Sequence, residues 1–127
     1  MNVLYYIKKN IYIGITAIYI TLIFASCKKN DPISMRWDLT GCYNPWDESF
    51  VLDTFSYEKY HQGIYDFLTT EGLEVNYVTS EFDSSKLELC YACHCKTGTV
   101  IIINIPRKHR RKLKNLAPNN QFDLYFY

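Results

Sequence analysis

The sequence lacks the motifs of the common enzyme families and is poor in several residue types. It has five glycines and four prolines in 127 residues, with no internal repeat or low-complexity tract, which excludes fibrous repeats and favours a folded domain. The formal net charge of +1 does not favour a dedicated nucleic-acid-binding protein. No phosphate-cradling glycine loop, dinucleotide fingerprint or Gly-x-Ser-x-Gly motif occurs. We therefore predict a small folded protein that is not an enzyme and binds no nucleic acid.

The N-terminal residues have the three parts of a secretory signal. Lys8 and Lys9 form a short basic region, and an uncharged apolar run of about 16 residues follows from position 11 to 26. This run is short for a membrane-spanning helix, which needs roughly 20 residues. The segment therefore predicts export from the cytoplasm.

The segment Phe24-Ala25-Ser26-Cys27 resembles the lipobox of bacterial lipoproteins. The resemblance implies that the thiol of Cys27 receives a diacylglyceryl group and that residues 1–26 are then removed as a signal peptide. It also implies that the new N-terminus is acylated by a fatty acid such as palmitate. Two or three acyl chains anchor a protein stably in a bilayer. An uncleaved transmembrane anchor and a conventionally secreted protein are the alternatives.

The same resemblance implies a location and a division of the chain. Residues 27–34 would form a lipidated polar tether, and residues 35–127 a single small domain. We expect a lipid-anchored protein on the exported side of the bacterial cell envelope. Lys28, rather than an aspartate, follows the cysteine. By similarity to enteric sorting rules, this favours the outer membrane.

The spacing of apolar residues predicts an α+β domain. Apolar residues recur every three or four positions from Tyr57 to Leu68, which predicts a helix. Thr54 or Ser56 can cap the start of this helix, and Gly72 suits its end. The β-branched run Val100–Ile103 predicts a central strand that is buried on both faces.

The predicted elements follow in the order strand, helix, strand, strand, helix, strand. This is the order of the ferredoxin-like split βαβ fold, in which two helices lie on one face of an antiparallel sheet. A looser α+β sandwich is the alternative. Asn44-Pro45 marks a turn-rich loop, residues 81–86 predict a polar loop, and Pro106 suits the first position of the second helix. The predicted elements are Met35–Leu39, Tyr57–Leu68, Leu73–Tyr77, Thr99–Ile105, Arg107–Leu116 and Phe122–Phe126.

Four cysteines remain after Cys27, and export would place them in an oxidising compartment. Two disulfides are the favoured interpretation, with Cys42 crossing to Cys93 or Cys95 and the other two cysteines pairing locally. A crosslink that closes a loop of about 50 residues stabilises a fold by about 3 to 4 kcal/mol. The disulfide candidates are Cys42, Cys90, Cys93 and Cys95.

Two other uses of these cysteines stay open. The C-x-x-C-x-C spacing of Cys90, Cys93 and Cys95 suits zinc or copper. Cys42, His94 or His109 would then complete a tetrahedral set, but a second paired-ligand motif is missing, so we predict no metal and no cofactor. In the second alternative, Cys90 and Cys93 exchange disulfides with a substrate, as in a thiol oxidoreductase.

The predicted domain combines Trp37 with a Cys-Tyr-Asn-Pro-Trp segment at 42–46 and a Cys-x-Ala-Cys-x-Cys-x-Thr-Gly segment at 90–98. With this pattern, most of the domain resembles small uncharacterised lipoproteins of Bacteroidetes-type bacteria. The resemblance implies no known activity. We predict a membrane-tethered interaction or envelope module, whose partners are the membrane, through the lipid, and an envelope protein.

Charge is unevenly distributed along the chain. Residues 28–88 hold twelve acidic and five basic residues, whereas residues 89–127 hold seven basic residues and one acidic residue. The basic residues are concentrated between Arg107 and Lys114, where we predict a solvated helix face. Contact with anionic lipid headgroups is the alternative.

Overall fold

The computed structural model describes residues 30–117 and 126–127 of the chain. The predicted signal peptide, Cys27 and most of the predicted last strand, Phe122–Phe126, lie outside these residues. Within them the chain forms a three-stranded antiparallel sheet and two helices, which confirms the predicted α+β class. The elements are β1 (Pro32–Thr40), α1 (Tyr57–Thr70), β2 (Tyr77–Leu87), β3 (Lys96–Pro106), a 3-10 turn (Arg107–His109) and α2 (Arg110–Lys114).

The sheet has the order β1-β3-β2, and β3 pairs antiparallel with both neighbours. Ile101 lies opposite Trp37 of β1 and Ser80 of β2, so the β-branched run occupies the central position that its sequence predicts. Both helices contribute apolar side chains to the core on the face that carries Ile101. The prediction of burial on both faces is only partly right, because Ile102 is half-buried whereas Val100 and Ile101 are fully buried.

Helix α1 begins and ends where the local sequence predicts. The hydroxyl of Ser56 accepts a hydrogen bond from the amide of Lys59 at 3.2 Å, so Ser56 rather than Thr54 is the cap. Gly72 has a φ of +75°, the left-handed conformation in which a helix commonly ends on glycine. The buried residues of the helix are Ile64 and Leu68.

The second strand differs from its prediction. The sequence predicts a strand at Leu73–Tyr77 and a polar loop at 81–86, but β2 runs from Tyr77 to Leu87 and includes those polar residues. β2 lies at an edge of the described sheet, where a strand tolerates polar side chains because water reaches it. The carboxylate of Glu81 forms an ion pair there with Arg36 of β1, at 2.7 Å.

The second helix is shorter than predicted. Instead of one helix from Arg107 to Leu116, the chain forms the 3-10 turn and the five-residue α2. Pro106 does not open a helix: its ψ of 139° is extended, and it pairs with Pro32 as the last residue of β3. Only Leu113 of α2 is buried, so little apolar contact supports a longer helix.

Aromatic side chains organise one part of the core. The ring of Trp37 lies 6.1 Å from that of Trp46 and 4.8 Å from that of Phe126, and all three side chains are buried. Tyr127 exchanges two backbone hydrogen bonds with Arg36, at 2.9 and 3.1 Å. Phe126 and Tyr127 therefore lie along the edge of β1 that faces away from β3.

Candidate functional site

The four described cysteines lie together at one end of the sheet. β1 ends at Thr40 and β3 begins at Lys96, and these two residues are cross-strand partners. The loop that follows β1, residues 41–47, and the loop that precedes β3, residues 88–95, therefore meet beyond the sheet. We call these two loops the crosslinked tip.

Two disulfides close the crosslinked tip. Cys42 is bonded to Cys93, 51 positions further along the chain, and Cys90 is bonded to Cys95. The sequence predicts two disulfides and leaves the partner of Cys42 open between Cys93 and Cys95; the structure joins Cys42 to Cys93. The amide of Cys42 also donates to the carbonyl of Cys93 at 3.1 Å, and the amide of Gly41 donates to the carbonyl of Cys95 at 3.2 Å. The two loops are thus joined through both side chains and backbone.

The shorter disulfide connects an exposed position to a buried one. Cys95 is only 4% exposed, whereas Cys90 lies on the surface. The amide of Cys95 donates to the carbonyl of Ala92 at 3.0 Å, which closes a turn inside the loop. The segment 90–95 is therefore held as a compact loop by one disulfide and one backbone hydrogen bond.

Asn44 connects the first loop of the tip to the core. Its side-chain oxygen accepts hydrogen bonds from the indole N–H of Trp37 at 2.9 Å and from the amide and hydroxyl of Thr40 at 2.9 and 3.1 Å. Its side-chain nitrogen donates to the carboxylate of Asp47 at 3.0 Å. The sequence shows Asn44-Pro45 only as a turn signal, since a bond to the indole requires the folded position of Trp37.

Large apolar side chains project from the second loop of the tip and from the strand before it. Leu89 is 95% exposed and Tyr91 is fully exposed, and Phe82 and Leu87 are exposed as well. A cleft of about 380 Å³ lies beside them, and its lining includes Gly41, Leu87 and Tyr91. Grouped apolar side chains on a fixed surface are typical of protein contact sites.

Among the residues that the structure describes, three side chains of the tip lie close enough together to hold one ion. The ligand atoms of Glu88, Cys90 and Cys95 lie within 4.8 Å of one another. Cys90 and Cys95 are bonded to each other, so neither has a thiolate to offer a metal. The carboxylate of Glu88 accepts the amide hydrogen of Lys96 at 2.9 Å. The group therefore supports the loop rather than an ion.

Neither alternative use of the cysteines matches this pairing. The zinc or copper alternative needs free thiolates, but all four described cysteines are in disulfides. The oxidoreductase alternative needs a bond between Cys90 and Cys93, which belong to different disulfides. The metal alternative uses Cys90, Cys93 and Cys95, with Cys42, His94 or His109 as the fourth ligand.

A glycine at the start of β3 is required by the neighbouring strand. Gly98 has a φ of +80°, and a Cβ atom there would lie 2.8 Å from Cε2 of Phe82 and 3.3 Å from the carbonyl oxygen of Asp83. We expect Gly98→Ala to lower the free energy of unfolding by about 2 kcal/mol, because alanine is strained in the left-handed conformation and the phenyl ring must move. Urea denaturation measures the change.

Gly41→Ala is the matched control within the tip. A Cβ atom at Gly41 would lie no closer than 3.6 Å to its nearest neighbour, which is an ordinary contact. We expect this variant to change the free energy of unfolding by less than about 0.5 kcal/mol. Equal losses in the two variants would show that the strain at Gly98 has been overstated.

A charged cluster lies next to the tip. The carboxylate of Asp38 contacts Lys86 at 2.6 Å and Lys96 at 3.0 Å, and the hydroxyl of Tyr127 donates to it at 2.6 Å. Burial raises the pKa of Asp38, but these three hydrogen-bond donors outweigh burial and hold the pKa below its usual value. Lys86 also hydrogen-bonds the hydroxyl of Tyr127 and lies over its ring. An ionised carboxylate between two ammonium groups is not a proton donor near pH 7. The contacts of Asp38 and Lys86 with Tyr127 instead hold that side chain against the sheet.

A second cleft, of about 310 Å³, lies between α1 and β2. His61 of α1 forms a hydrogen bond with the hydroxyl of Ser80 of β2 at 3.0 Å. Burial lowers the pKa of His61, so its ring is neutral at pH 7. This histidine joins the helix to the sheet.

The fold and the crosslinks define a class of protein, a small α+β domain closed by two disulfides. Comparisons of the chain with protein families, with curated proteins and with solved structures found no match. Among residues 30–117 and 126–127, no helix has the length and apolar character needed to cross a membrane. The crosslinked tip is the surface on which a functional assignment can be based.

Proposed function

We propose that this chain is an exported lipoprotein whose disulfide-bonded domain is a non-enzymatic interaction module. Cys27 tethers the domain to a membrane of the bacterial cell envelope, and the crosslinked tip binds a partner protein there. The observation that carries the proposal is the exposure of Leu89 and Tyr91 on a loop that two disulfides hold in place.

The disulfides support the export part of the proposal. Disulfides persist in oxidising compartments and are rare in the cytoplasm. A domain of this size also has a modest core, and exported domains of similar size often add covalent crosslinks for that reason. The lipobox-like segment that ends at Cys27 and the two disulfides therefore point to the same side of the cytoplasmic membrane.

The apolar loop supports the binding part of the proposal. Burying a leucine or a comparable apolar side chain contributes roughly 1.5 to 3 kcal/mol, and both Leu89 and Tyr91 are left in water by the isolated domain. The disulfides order the loop before binding, so association costs less conformational entropy than it would with a flexible loop. A fixed apolar loop therefore favours specific binding of a protein surface.

The position of the tip also suits this role. β1 runs nine residues from Pro32 to Thr40, which corresponds to roughly 27 Å. The chain enters the domain at one end of this strand, and the tip lies at the other end. A partner can therefore approach the tip without meeting the tether.

For the fold, we propose that the complete sheet is ferredoxin-like. The antiparallel order β1-β3-β2 is the order of three of the four strands in that fold. The backbone pair between Tyr127 and Arg36 lies on the remaining edge of β1, where the fourth strand of such a sheet belongs. Both observations support the split βαβ arrangement that the sequence predicts.

Photo-crosslinking in intact cells tests the interaction module. A photoreactive amino acid replaces Tyr91 in the full chain, and mass spectrometry identifies the crosslinked product and the acylation state of Cys27. We expect one discrete envelope protein to be captured. Adding Leu89→Ser should lower the yield at least about tenfold, because central apolar contacts carry most of the binding energy.

The matched control places the photoreactive residue at Val51, which is 93% exposed on a different loop. We expect no discrete product from this position. The same products from both positions, or none from Tyr91, would count against binding through the tip. An unmodified Cys27 would count against the lipid tether.

A further inference from the structure

Six cationic residues lie within the eight positions that follow β3, in the 3-10 turn and α2. Leu113 is buried, and it is the residue that attaches α2 to the core. Lys108 is paired with Glu74 at 2.6 Å, and Nζ of Lys112 lies 3.4 Å from the carbonyl oxygen of Gly72. In residues 30–117 and 126–127, no carboxylate forms an ion pair with the other four. These four residues are Arg107, Arg110, Arg111 and Lys114, and all are exposed.

The basic end, which we define as residues 107–114, lies where the chain enters the domain. Pro106, the last residue of β3, is the cross-strand partner of Pro32, the first residue of β1. Cross-strand partners lie about 5 Å apart, so Arg107 begins next to Pro32. From Cys27 to Pro32 the chain spans at most about 18 Å. A lipid on Cys27 would therefore keep the basic end close to the bilayer surface.

Neighbouring charges leave this region strongly positive. The sequence adds Lys28 and Lys29 just before the domain. Among the residues that the structure describes, Glu74 is the only carboxylate that forms an ion pair with the basic end, through Lys108 and His109. The six Lys and Arg residues of the basic end exceed this one acidic partner by five.

The exposure of the basic end suits a flat anionic surface. The four cations without ion pairs are all exposed along the 3-10 turn and α2. A layer of phosphate headgroups can contact several such side chains at once, whereas a small anion would meet only one or two.

We propose that the basic end docks on the anionic phosphate headgroups of the bilayer that holds the tether, and that this contact directs the crosslinked tip away from the membrane. The proposal rests on the lipid attachment of Cys27 proposed above. Each Lys or Arg near an anionic leaflet strengthens binding about fivefold. The short tether makes the contact intramolecular, at an effective concentration in the millimolar range, so a weak contact is sufficient.

Acylation of lysine side chains tests the docking. The mature lipoprotein, purified from membranes, is inserted into vesicles of phosphatidylcholine alone or of phosphatidylcholine with phosphatidylglycerol, and an amine-reactive reagent is added. We expect Lys112 and Lys114 to react about fivefold more slowly on the anionic vesicles. Salt at about 0.5 M should remove the difference, because it screens the headgroup charge. Peptide mass spectrometry measures each lysine separately.

Lys59 is the internal control. It is exposed in the first turn of α1, at the opposite end of that helix from Gly72, which Lys112 contacts. Its reaction rate should be the same on both kinds of vesicle. The matched charge variants are Arg111→Gln, which should reduce the protection of Lys114 severalfold, and Lys59→Gln, which should leave that protection unchanged.

Equal reaction of Lys112 and Lys114 on the two kinds of vesicle would overturn the docking proposal. Protection by added inorganic phosphate on phosphatidylcholine vesicles would overturn it as well, because the surface would then bind a free anion rather than a bilayer. The mass of the N-terminal peptide reports separately on the diacylglyceryl group of Cys27. Failure of the lipid tether is thus distinguished from failure of the docking surface.

Discussion

Replacing Cys42 and Cys93 together by alanine is expected to lower the free energy of unfolding by about 4 kcal/mol. The bond joins positions that are 51 residues apart, so its loss returns the conformational freedom of a long loop to the unfolded chain. Domains of this size are stabilised by only about 5 to 15 kcal/mol in total. Urea denaturation followed by tryptophan fluorescence is a suitable measurement, because Trp37 and Trp46 are both buried.

The second disulfide supplies the matched control for this prediction. Cys90 and Cys95 are five positions apart, so replacing both by alanine should cost about 2 kcal/mol on the same loop-entropy basis. The yield of photo-crosslinking from Tyr91 should fall more when Cys90 and Cys95 are replaced than when Cys42 and Cys93 are replaced, because the shorter disulfide holds the apolar loop. If the two double variants lost equal stability, the loop-entropy explanation would be wrong.

Asn44→Ala is expected to lower the free energy of unfolding by about 3 kcal/mol, which is large for an uncharged side chain outside the apolar core. The variant removes the acceptor of the Trp37 indole and of the Thr40 amide and hydroxyl. Trp37 is fully buried and Thr40 is 2% exposed, so water cannot replace the lost acceptor without rearrangement. A buried donor without a partner costs about 1 to 3 kcal/mol.

Asn76→Ala is the control for Asn44. The side-chain amide of Asn76 donates to the side-chain oxygen of Asn104 at 2.7 Å, but both residues lie near the surface, so water can replace this hydrogen bond. We expect this variant to lose less than about 1 kcal/mol. Thermal or urea denaturation of the two variants in parallel measures the difference. A smaller loss at Asn44 than at Asn76 would contradict the central role of Asn44 in the tip.

The two ends of the domain have different surfaces. The end at which the chain enters carries Arg107, Arg110, Arg111 and Lys114 without ion-pair partners among the described residues. The other end carries exposed apolar side chains on loops joined by two disulfides. The proposed module, which would contact a membrane at one end and a protein at the other, would use one of these surfaces for each contact.

Local sequence patterns predicted the elements that depend on local interactions. The cap at Ser56 and the stop at Gly72 act within one helical turn, so α1 was predicted nearly to its ends. The β-branched run Val100–Ile103 contains no polar side chain that must be solvated, which favours a central strand, and the run does lie in the central strand. The count of four cysteines after Cys27 was enough to predict two disulfides.

Elements that depend on distant partners were not predicted. Residues 81–86 have the composition of a loop, but β2 continues through them: Phe82 pairs with Thr99, the register then shifts, and Leu87 pairs with Thr97. The second helix is shorter than predicted because only Leu113 of it is buried, and Pro106 stays extended because it pairs with Pro32, 74 positions earlier. Neither outcome can be read from residues that are close in sequence.

The sequence by itself determined the α+β class, the first helix and the central strand, because periodicity and caps act through residues near one another. It also determined the presence of two crosslinks, because four cysteines in an oxidising compartment form two disulfides whichever way they pair. The tertiary structure alone decided that Cys42 pairs with Cys93, that Asn44 accepts the indole of Trp37 and that the basic end lies beside Pro32. The first and the last depend on the register of β1 against β3, which brings residues 51 and 74 positions apart together. The second depends on the turn after β1, which places Asn44 against Trp37, seven positions earlier.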